Sequence, residues 1–369
     1  MTVGEHQTAL LKDGKETFPR MLAAIAAAKS TICLETYIFR DDHIGRRFGE
    51  ALMERARAGV QVNFMFDGFG SDVSDHYLEQ LRRDGVRVTV FRPIRFTAEL
   101  WERFLFLSRR NHRKSLVVDG ELGFLGGLNL AREYASVEDG GSGWRDTHME
   151  LRGPQVVRLE RLFLDSWYAN GGAPIEVKRY ARSLQHGDGL VRVLGNAFAS
   201  ERKDIRRAYV SAFDGAKERI DLTHAYFLPP SRVLRALTRA ARRGVQVRLV
   251  LAGATDVPAV LYAARGLYPR LLRAGIRVFE WEGRILHAKT GVVDGHWSTV
   301  GSSNLDAMSL RHNLEVNAVV ESEHFAAALE RMFEEDLTHC REVTQQEVDA
   351  RLTPQKILQW LAYRLRAWL

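Results

Sequence analysis

This 369-residue sequence has little cysteine, no long apolar run and no secretion signal. Its only cysteines are Cys33 and Cys340, too few for a disulfide framework and typical of a reducing compartment. No apolar run reaches the roughly 18 residues that a membrane-spanning helix needs. Residues 1–15 are polar and lack the apolar core of a secretion signal. We therefore expect a protein that faces the cytosol and does not cross a bilayer.

The composition is that of a soluble globular protein, with 46% hydrophobic and 27% charged residues, which excludes disordered and fibrous classes. Lysine and arginine number 53 against 46 aspartates and glutamates, so the net charge is +7. This mild basic excess suits an anionic partner such as a phosphate, a nucleic acid or an acidic membrane surface. The length allows two or three domains, or one domain built from two similar halves.

Four sequence blocks occur twice, in the same order, which indicates two homologous halves. The pairs are KSTICLETYIF (29–39) with KERIDLTHAYF (217–227), ERARAGVQVNFMF (54–66) with RAARRGVQVRLVL (239–251), GVRV (85–88) with GIRV (275–278), and HRKSLVVDG (112–120) with HAKTGVVDG (287–295). Short β-branched runs alternate with helical patterns, which predicts mixed sheets covered by helices. We expect a first lobe at 1–180, a connecting segment at 181–200, a second lobe at 201–345 and an amphipathic tail at 346–369.

A histidine and a lysine recur two positions apart in the last of these blocks. They are His112 with Lys114, and His287 with Lys289. In a strand, side chains at i and i+2 share a face, whereas a helix would separate them. The repeat therefore predicts two strands that each carry an imidazole and an ammonium group on one face.

Each strand then runs into an Asp-Gly pair, at 119–120 or 294–295, which is typical of a tight hairpin. A two-residue turn would oppose each histidine with a small residue of the returning strand and place an asparagine just beyond. The small residues are Gly127 and Ser302, and the asparagines are Asn129 and Asn304.

These residue types suit chemistry at a phosphodiester. Lysine supplies a point positive charge and asparagine an amide donor, and an imidazole can act as a nucleophile or as a general acid and base. Two facing halves would supply one histidine for in-line attack and one to protonate the leaving oxygen. A single His-x-Lys is more often structural, but two copies in matching context favour a site. A bound metal would be repelled by the lysines, so we expect neither metal nor cofactor.

The motifs resemble the phospholipase D superfamily, whose signature is H-x-K-x4-D followed by G-[GS]-x-N. Here it reads HRKSLVVD…GGLN (112–129) and HAKTGVVD…GSSN (287–304). Within the superfamily the sequence is most similar to bacterial cardiolipin synthases, through LETYIFRDD (34–42), FLGGLNLAREY (124–134), WRDTHMELRGP (144–154) and VGSSNLDAMSLRHNLEVN (300–317). The resemblance implies an α/β fold of two homologous lobes, mixed sheets flanked by helices, related by a pseudo-two-fold axis with the active site at their interface.

The resemblance also implies a metal-free, two-step displacement. One histidine attacks phosphorus to form a phosphohistidine, and the other protonates the departing alcohol; near-symmetry leaves the order open, and we favour His112 as the nucleophile over His287. Lys114, Lys289, Asn129, Asn304, Ser302 and Gly127 are then the phosphate contacts, and Asp146 and Glu315 orient the histidines. Asp119 and Asp294 complete the motif, and we interpret them as turn-forming.

Other residues are candidates for substrate contacts or supporting roles. Glu35, Tyr37 and Tyr226 end paired strands near the expected site and are candidates for a headgroup pocket, whereas His148 and His224 are interpreted as packing or supporting residues. An apolar and basic insertion at 94–110 and the amphipathic tail are candidates for contact with a membrane surface, the alternative being helices packed on the domain. Their candidate contact residues are Trp101, Phe104, Trp360 and Trp368.

The leading hypothesis is a phosphatidyltransferase that condenses phosphatidylglycerol with a second lipid alcohol to make cardiolipin, acting peripherally at the cytoplasmic face of the bacterial inner membrane. The alternatives are a hydrolase of phosphodiesters (a phospholipase D or a nuclease) and, from another class, a non-catalytic membrane-surface binder. The apolar insertion and tail argue against nucleic acid, and two intact motifs argue against a silent binder. The acceptor alcohol and the oligomeric state stay open.

Overall fold

The computed structural model describes residues 1–3, 6–93, 109–176, 191–196, 204–255 and 257–364. Residues 94–108 of the insertion, which include Trp101 and Phe104, and Trp368 in the tail lie outside these ranges. The strands are β1 (Thr2–Val3), β2 (His6–Lys12), β3 (Thr31–Thr36), β4 (Gln61–Asp67), β5 (Arg87–Phe91), β6 (Ser115–Val118), β7 (Leu122–Gly126), β8 (Thr147–Arg152), β9 (Val191–Gly195), β10 (Arg219–His224), β11 (Gln246–Ala252), β12 (Arg277–Trp281), β13 (Lys289–Val293), β14 (Trp297–Gly301), β15 (Val316–Glu321) and β16 (Cys340–Val343).

Helices cover the sheets, as the alternation of strand and helix patterns predicts. They are α1 (Asp13–Ala27), α2 (His43–Arg57), α3 (Asp75–Arg83), α4 (Gln155–Ala169), α5 (Asp204–Gly215), α6 (Ser231–Arg242), α7 (Pro258–Arg273), α8 (Ala307–Arg311), α9 (Glu323–Leu337), α10 (Gln345–Ala350) and α11 (Thr353–Arg364), with a 3-10 turn at Arg132–Tyr134. Local sequence sets their ends. Asp42, for example, accepts hydrogen bonds from the amides of Ile44 and Gly45 at the start of α2, both at 2.9 Å.

The strands form two eight-stranded mixed sheets, in the orders β1-β2-β8-β7-β6-β3-β4-β5 and β16-β12-β11-β10-β13-β14-β15-β9. In each sheet three parallel strands joined by helices (β3-β4-β5 and β10-β11-β12) adjoin an antiparallel group (β6-β7-β8 and β13-β14-β15). The two halves thus repeat one architecture, as the sequence repeats predict. Strand β9 lies within the predicted connecting segment and pairs with β15 of the second sheet.

The two lobes share one core. Beside a separate apolar cluster within each lobe, a third cluster contains side chains of both sheets. It includes Leu125 and Met149 of the first sheet and Val300 and Val316 of the second. Burial of this apolar surface holds the lobes face to face.

The two hairpins that carry the repeated motif are wider by one residue than the sequence predicts. Val118 pairs with Leu122 and Val293 with Trp297, so each loop has three residues rather than two. The predicted register is therefore wrong by one position. The physical reason is the aspartate that opens each loop: it has a positive φ (52° for Asp119) and turns its carboxylate back to neighbouring backbone amides.

Candidate active site

Each motif histidine is held by the backbone of the opposite lobe. The hairpin strands begin only at Ser115 and Lys289, so both histidines and Lys114 precede the strands on which the sequence pattern places them. The His112 amide donates to the Leu314 carbonyl at 2.9 Å, and the His287 amide donates to the Arg145 carbonyl at 2.7 Å. The segments that carry both imidazoles therefore cross into the neighbouring lobe, and the site lies at the interface.

The histidine side chains also contact the opposite lobe. Nδ1 of His112 lies 3.0 Å from Oε1 of Glu315, and Nδ1 of His287 lies 2.7 Å from Oδ2 of Asp146. A carboxylate at Nδ1 fixes the ring and leaves Nε2 available for chemistry. The imidazole side chains keep 13% and 7% of their surface exposed, whereas both carboxylates are fully buried.

The two motif lysines are buried with the histidines. Nζ of Lys114 donates to the His112 carbonyl at 2.6 Å, and Nζ of Lys289 donates to the His287 carbonyl. Burial lowers the pKa of Lys114 well below its usual value, and the nearby charge of Lys289 adds to this, while Glu315 opposes it. A bound anion would offset this repulsion between the two buried lysines and favour their charged forms, so the arrangement suits anion binding.

In the protein without substrate, the pKa values of both motif histidines are lowered for the same reasons. Burial lowers the pKa of His112 well below its usual value, and the charges of Lys114 and Lys289 lower it further. Burial and Lys289 also lower the pKa of His287, although Asp146 acts in the opposite direction. Because each lysine acts on both imidazoles, the four groups occupy one site.

The two carboxylates differ. Burial would raise the pKa of Asp146, but Lys289 and His287 more than offset it, so this pKa is lowered and the group is ionised. Burial raises the pKa of Glu315 to about 8, despite the charge of Lys114 and the hydrogen bond from Ser302. The pKa values of these two partners are shifted in opposite directions, so the surroundings of the two imidazoles differ.

Gly127 and Ser302 lie beside these carboxylates. A Cβ atom added to Gly127 would overlap with Oδ1 of Asp146, so glycine is required there. At the equivalent position Ser302 donates its hydroxyl to Glu315 and accepts from the Val316 amide at 3.0 Å. In this structure both residues accommodate the carboxylates that orient the histidines.

Asp119 and Asp294 cap the opposite ends of the hairpins. Asp119 accepts from the amides of residues 29–31 at 2.7–2.9 Å, and Asp294 accepts from those of residues 217–219 at 2.8–2.9 Å. Burial acts to raise the pKa of Asp119, but these amides lower it overall. Both aspartates tie the hairpin to the preceding strand of the sheet, which agrees with their interpretation as turn-forming residues.

Of the candidate headgroup residues, Tyr37 contacts the His112 ring, Glu35 contacts the segment that carries it, and Tyr226 lies in the second lobe. The Tyr37 ring meets the His112 ring edge-on at 4.8 Å between centroids, and Nζ of Lys114 lies 5.1 Å from the centre of the Tyr37 ring. Glu35 is buried beneath this segment and accepts from Nδ2 of Asn111 at 2.9 Å and from Oγ of Ser115 at 2.8 Å. Tyr226 packs against the small apolar cluster beside α7.

Several residues of the site escaped sequence reasoning. Rings of Tyr134 and Trp144, both from the first lobe, lie 5.3 Å and 5.8 Å from the His287 ring. Arg145 makes a buried, two-pronged ion pair with Asp336 of α9, with Nε–Oδ1 at 2.8 Å and Nη2–Oδ2 at 2.7 Å. The available signal for Trp144 and Arg145 was their position next to Asp146, within the stretch 144–154 that resembles cardiolipin synthases.

A second buried arginine connects the lobes on the other side of the site. Arg113, the variable residue of the first motif, donates to the carbonyls of Leu162 at 2.6 Å and Asn196 at 2.7 Å. Its Nε also donates to the Glu315 carbonyl at 3.3 Å. The equivalent residue of the second motif is Ala288, so this connection exists on one side only.

Within the described ranges, no group of three or more histidine, cysteine, aspartate or glutamate side chains could hold a metal ion. Over those same residues, no helix is both long and apolar enough to span a membrane. The described part of α11 has exposed apolar side chains along its length, Ile357, Leu358 and Leu361, following the exposed Leu352. Trp360 lies in this helix.

Comparison with known proteins agrees with this geometry. The family described as "Cardiolipin synthase, PLD-like domain" matches residues 21–139 and 209–337, once in each lobe. The fold is similar to a solved phosphatidylserine synthase of Haemophilus influenzae, with a TM-score of 0.77, 14% identity, and coverage of 98% of this chain and 95% of that one. A polyphosphate kinase of Porphyromonas gingivalis shares the fold at a TM-score of 0.63, with 15% identity over 98% of this chain and 53% of that one.

Proteins found by sequence comparison have higher identity to this chain than those two structures. The chain is 36% identical to a cardiolipin synthase of Geobacillus kaustophilus over 363 residues, 95% of this chain and 71% of that protein. It is 38% identical to cardiolipin synthase A of Pseudomonas aeruginosa over 349 residues, 94% of this chain and 70% of that protein. The chain belongs to the cardiolipin synthase family of phospholipase D-like proteins.

Proposed function

We propose that this protein is a phosphatidyltransferase that makes cardiolipin from two molecules of phosphatidylglycerol and releases glycerol. The observation that carries the proposal is the pair of imidazoles at the lobe interface, each oriented by a carboxylate of the other lobe and accompanied by a buried lysine. The similarity to cardiolipin synthases supports the choice of lipid substrate.

In the first step Nε2 of His112 attacks phosphorus, and the bond from phosphorus to the glycerol oxygen breaks. The negative charge of the bound phosphodiester offsets the two lysines and raises the pKa of His287, so its imidazolium form gives a proton to that oxygen and glycerol leaves. Two observations favour this assignment: His112 is the more exposed ring, and the ionised Asp146 stabilises a proton on His287. Lys114 and Lys289 bind the phosphoryl oxygens, where negative charge accumulates in the transition state.

In the second step the neutral His287 takes a proton from the hydroxyl of another phosphatidylglycerol. The oxygen of that hydroxyl attacks the phosphohistidine, the phosphorus–nitrogen bond breaks, and His112 returns to its neutral form. The same residue thus serves as acid in one step and as base in the next. Transfer rather than hydrolysis requires a lipid alcohol at the site in place of water.

The test is incubation with phosphatidylglycerol vesicles without added metal, followed by mass analysis of the products. Cardiolipin with glycerol is expected; phosphatidic acid with glycerol would instead identify a hydrolase, and vesicle binding without turnover would identify a silent binder. His112→Ala and His287→Ala should each abolish turnover, whereas His324→Ala, at an exposed histidine of α9, should not. Near-normal turnover in either catalytic variant would refute the paired-histidine mechanism.

We also propose that the protein works at a membrane surface, the cytoplasmic face of the bacterial inner membrane. Helix α7 follows the end of β11 that lies on the catalytic side, and α11 packs against α7 through Gln359 and Gly266. The two helices expose Tyr262, Ile357, Leu358 and Leu361, and Val257 is exposed immediately before α7. An exposed apolar face of this kind suits insertion among lipid headgroups, and it would bring the site to its substrate.

A further inference from the structure

Buried polar atoms of two second-lobe residues are left without hydrogen bonds. Oδ1 of Asn304 and both ring nitrogens of His224 have no partner among the described residues. Asn304 is 2% exposed and His224 is fully buried. Buried polar groups are normally satisfied by protein, ordered water or a ligand, so each such atom calls for an explanation.

In the first lobe, the side chain of the equivalent asparagine has hydrogen-bond partners within the protein. Oδ1 of Asn129 accepts from the Ile38 amide at 3.0 Å and from the Thr36 hydroxyl at 3.3 Å, and its Nδ2 donates to the Tyr134 hydroxyl at 2.7 Å. That asparagine is therefore fixed by the protein itself.

The two sites are equivalent in the repeat. An isolated β-bridge joins Leu130 to Phe39 in the first lobe, and an equivalent one joins Leu305 to Phe227 in the second. The asparagine that precedes each leucine, Asn129 or Asn304, therefore occupies the same position in its lobe. The same alignment makes His224 the counterpart of Thr36. The second lobe thus has the His224 imidazole in place of the Thr36 hydroxyl, and the oxygen of its asparagine has no hydrogen-bond partner among the described residues.

His224 lies beside the phosphate-binding lysine of its lobe. His224 and Lys289 are directly opposed in the antiparallel pair β10–β13, so their side chains share a face. Burial lowers the pKa of His224 to about 3, and the charge of Lys289 lowers it further, so the ring is neutral. It offers one N–H donor and one acceptor nitrogen.

The chemistry of these atoms selects the ligand. Phosphate oxygens accept hydrogen bonds and cannot satisfy an amide oxygen, which needs a donor. A hydroxyl both donates and accepts, so it matches the asparagine oxygen together with a neutral imidazole. We propose that Asn304 and His224 form a subsite for the hydroxyl groups of the glycerol headgroup, next to the phosphate position. This inference rests on the proposed function, which supplies a substrate with such a headgroup.

The repeat itself provides the test variant. His224→Thr copies the first lobe, and its hydroxyl would satisfy Oδ1 of Asn304 from within the protein. The probe is an equimolar mixture of phosphatidylglycerol and phosphatidylpropanol, which differ only in the headgroup hydroxyls. Phosphatidylglycerol supplies the acceptor hydroxyl for both lipids, and the ratio of glycerol to propanol released gives the ratio of kcat/KM for the two donors. We expect the native protein to favour phosphatidylglycerol by at least about tenfold in kcat/KM, because a buried group loses its partner with the other lipid, and His224→Thr to reduce this ratio to about twofold.

Two further variants make the result specific. His148 is a second buried histidine whose ring nitrogens have no partner among the described residues. His148→Asn introduces the residue of its second-lobe counterpart, Asn317, and should keep the native ratio. His224→Gln keeps a donor and an acceptor and should retain most of the preference. An unchanged ratio in His224→Thr, or an equal loss in His148→Asn, would overturn the subsite.

Failure of the proposed function gives a different result. If neither lipid is turned over, that function is refuted, and the subsite is then judged by calorimetric binding of glycerol 1-phosphate against propyl phosphate. A preference of about tenfold for glycerol 1-phosphate that is lost in His224→Thr supports the subsite. Equal binding of the two phosphates to the native protein overturns it.

Discussion

His112 and Glu315 are 203 positions apart in the sequence, yet Nδ1 of the imidazole and Oε1 of the carboxylate are 3.0 Å apart. The reciprocal pair, His287 and Asp146, spans 141 positions. Neither lobe therefore contains an oriented histidine by itself. The chemistry depends on how accurately the lobes are held together, and the predictions below address the contacts that hold them.

The buried ion pair of Arg145 and Asp336 should contribute strongly to stability. Both side chains are 1% exposed, so Arg145→Met leaves a buried aspartate without its partner. We expect a loss of about 3–5 kcal/mol in the free energy of unfolding, measured by urea denaturation. Arg145→Met combined with Asp336→Leu should recover much of it. As a control, Arg83→Met, which breaks an exposed pair with Glu79, should change stability by less than about 0.5 kcal/mol.

Gly127→Ala should damage catalysis more than folding. The added methyl group would displace the Asp146 carboxylate and hence the His287 ring. Because misplacement of a catalytic group by about 1 Å can cost 100-fold, we expect kcat to fall by about that factor. Gly215→Ala, at a site with open space around the new methyl group, should have native kcat. Native kcat in Gly127→Ala would contradict the proposed role of Asp146.

Glu315 should make stability depend on pH. Its pKa is raised to about 8 in the folded protein, whereas an unfolded glutamate titrates near 4.3. The stability that this proton provides is fully present below about pH 4.3 and is lost as the pH rises through about 8. Melting temperatures at pH 5.5 and pH 8.5 should therefore differ less in Glu315→Gln than in the native protein.

A control for that experiment is Glu79→Gln, which makes the same replacement of a carboxyl group by an amide at an exposed position. It should keep the native difference between the two pH values. If Glu315→Gln shows the native difference as well, Glu315 is ionised in the folded protein across this range.

The apolar face of α11 should determine vesicle binding. Ile357 and Leu361 lie one helical turn apart and are 54% and 47% exposed. Replacing both by serine removes apolar surface that would otherwise leave water, so affinity for phosphatidylglycerol vesicles in a sedimentation assay should fall at least tenfold. Turnover of detergent-dispersed substrate should be little changed. Val137→Ser, at an exposed valine of the first lobe, should bind normally; equal binding by all three proteins would remove this face from the membrane proposal.

The repeated blocks were sufficient to predict the two-lobe α/β fold, because each block contains a complete strand or helix signal. Local pattern could not give the hairpin register, since Asp119 and Asp294 adopt a left-handed conformation that widens each loop. It also missed β9, although Val191 and Val193 alternate with polar or partly exposed neighbours there. The resemblance named Asp146 and Glu315 as orienting residues, but which carboxylate faces which imidazole depends on packing between distant segments. Arg113 and Arg145 are buried by that same packing, so their positions could not be read from composition.

Each lobe supplies the carboxylate that orients the histidine of the other lobe, and this affects how substitutions act on the site. In a dimer of two identical lobes, any substitution would alter both imidazole environments at once. A tandem chain has no such constraint, and here the two environments differ: a bare glycine accommodates the shorter Asp146, while a serine hydroxyl supports the longer Glu315. Covalent fusion thus allows one half to specialise in taking up a proton and the other in attacking phosphorus.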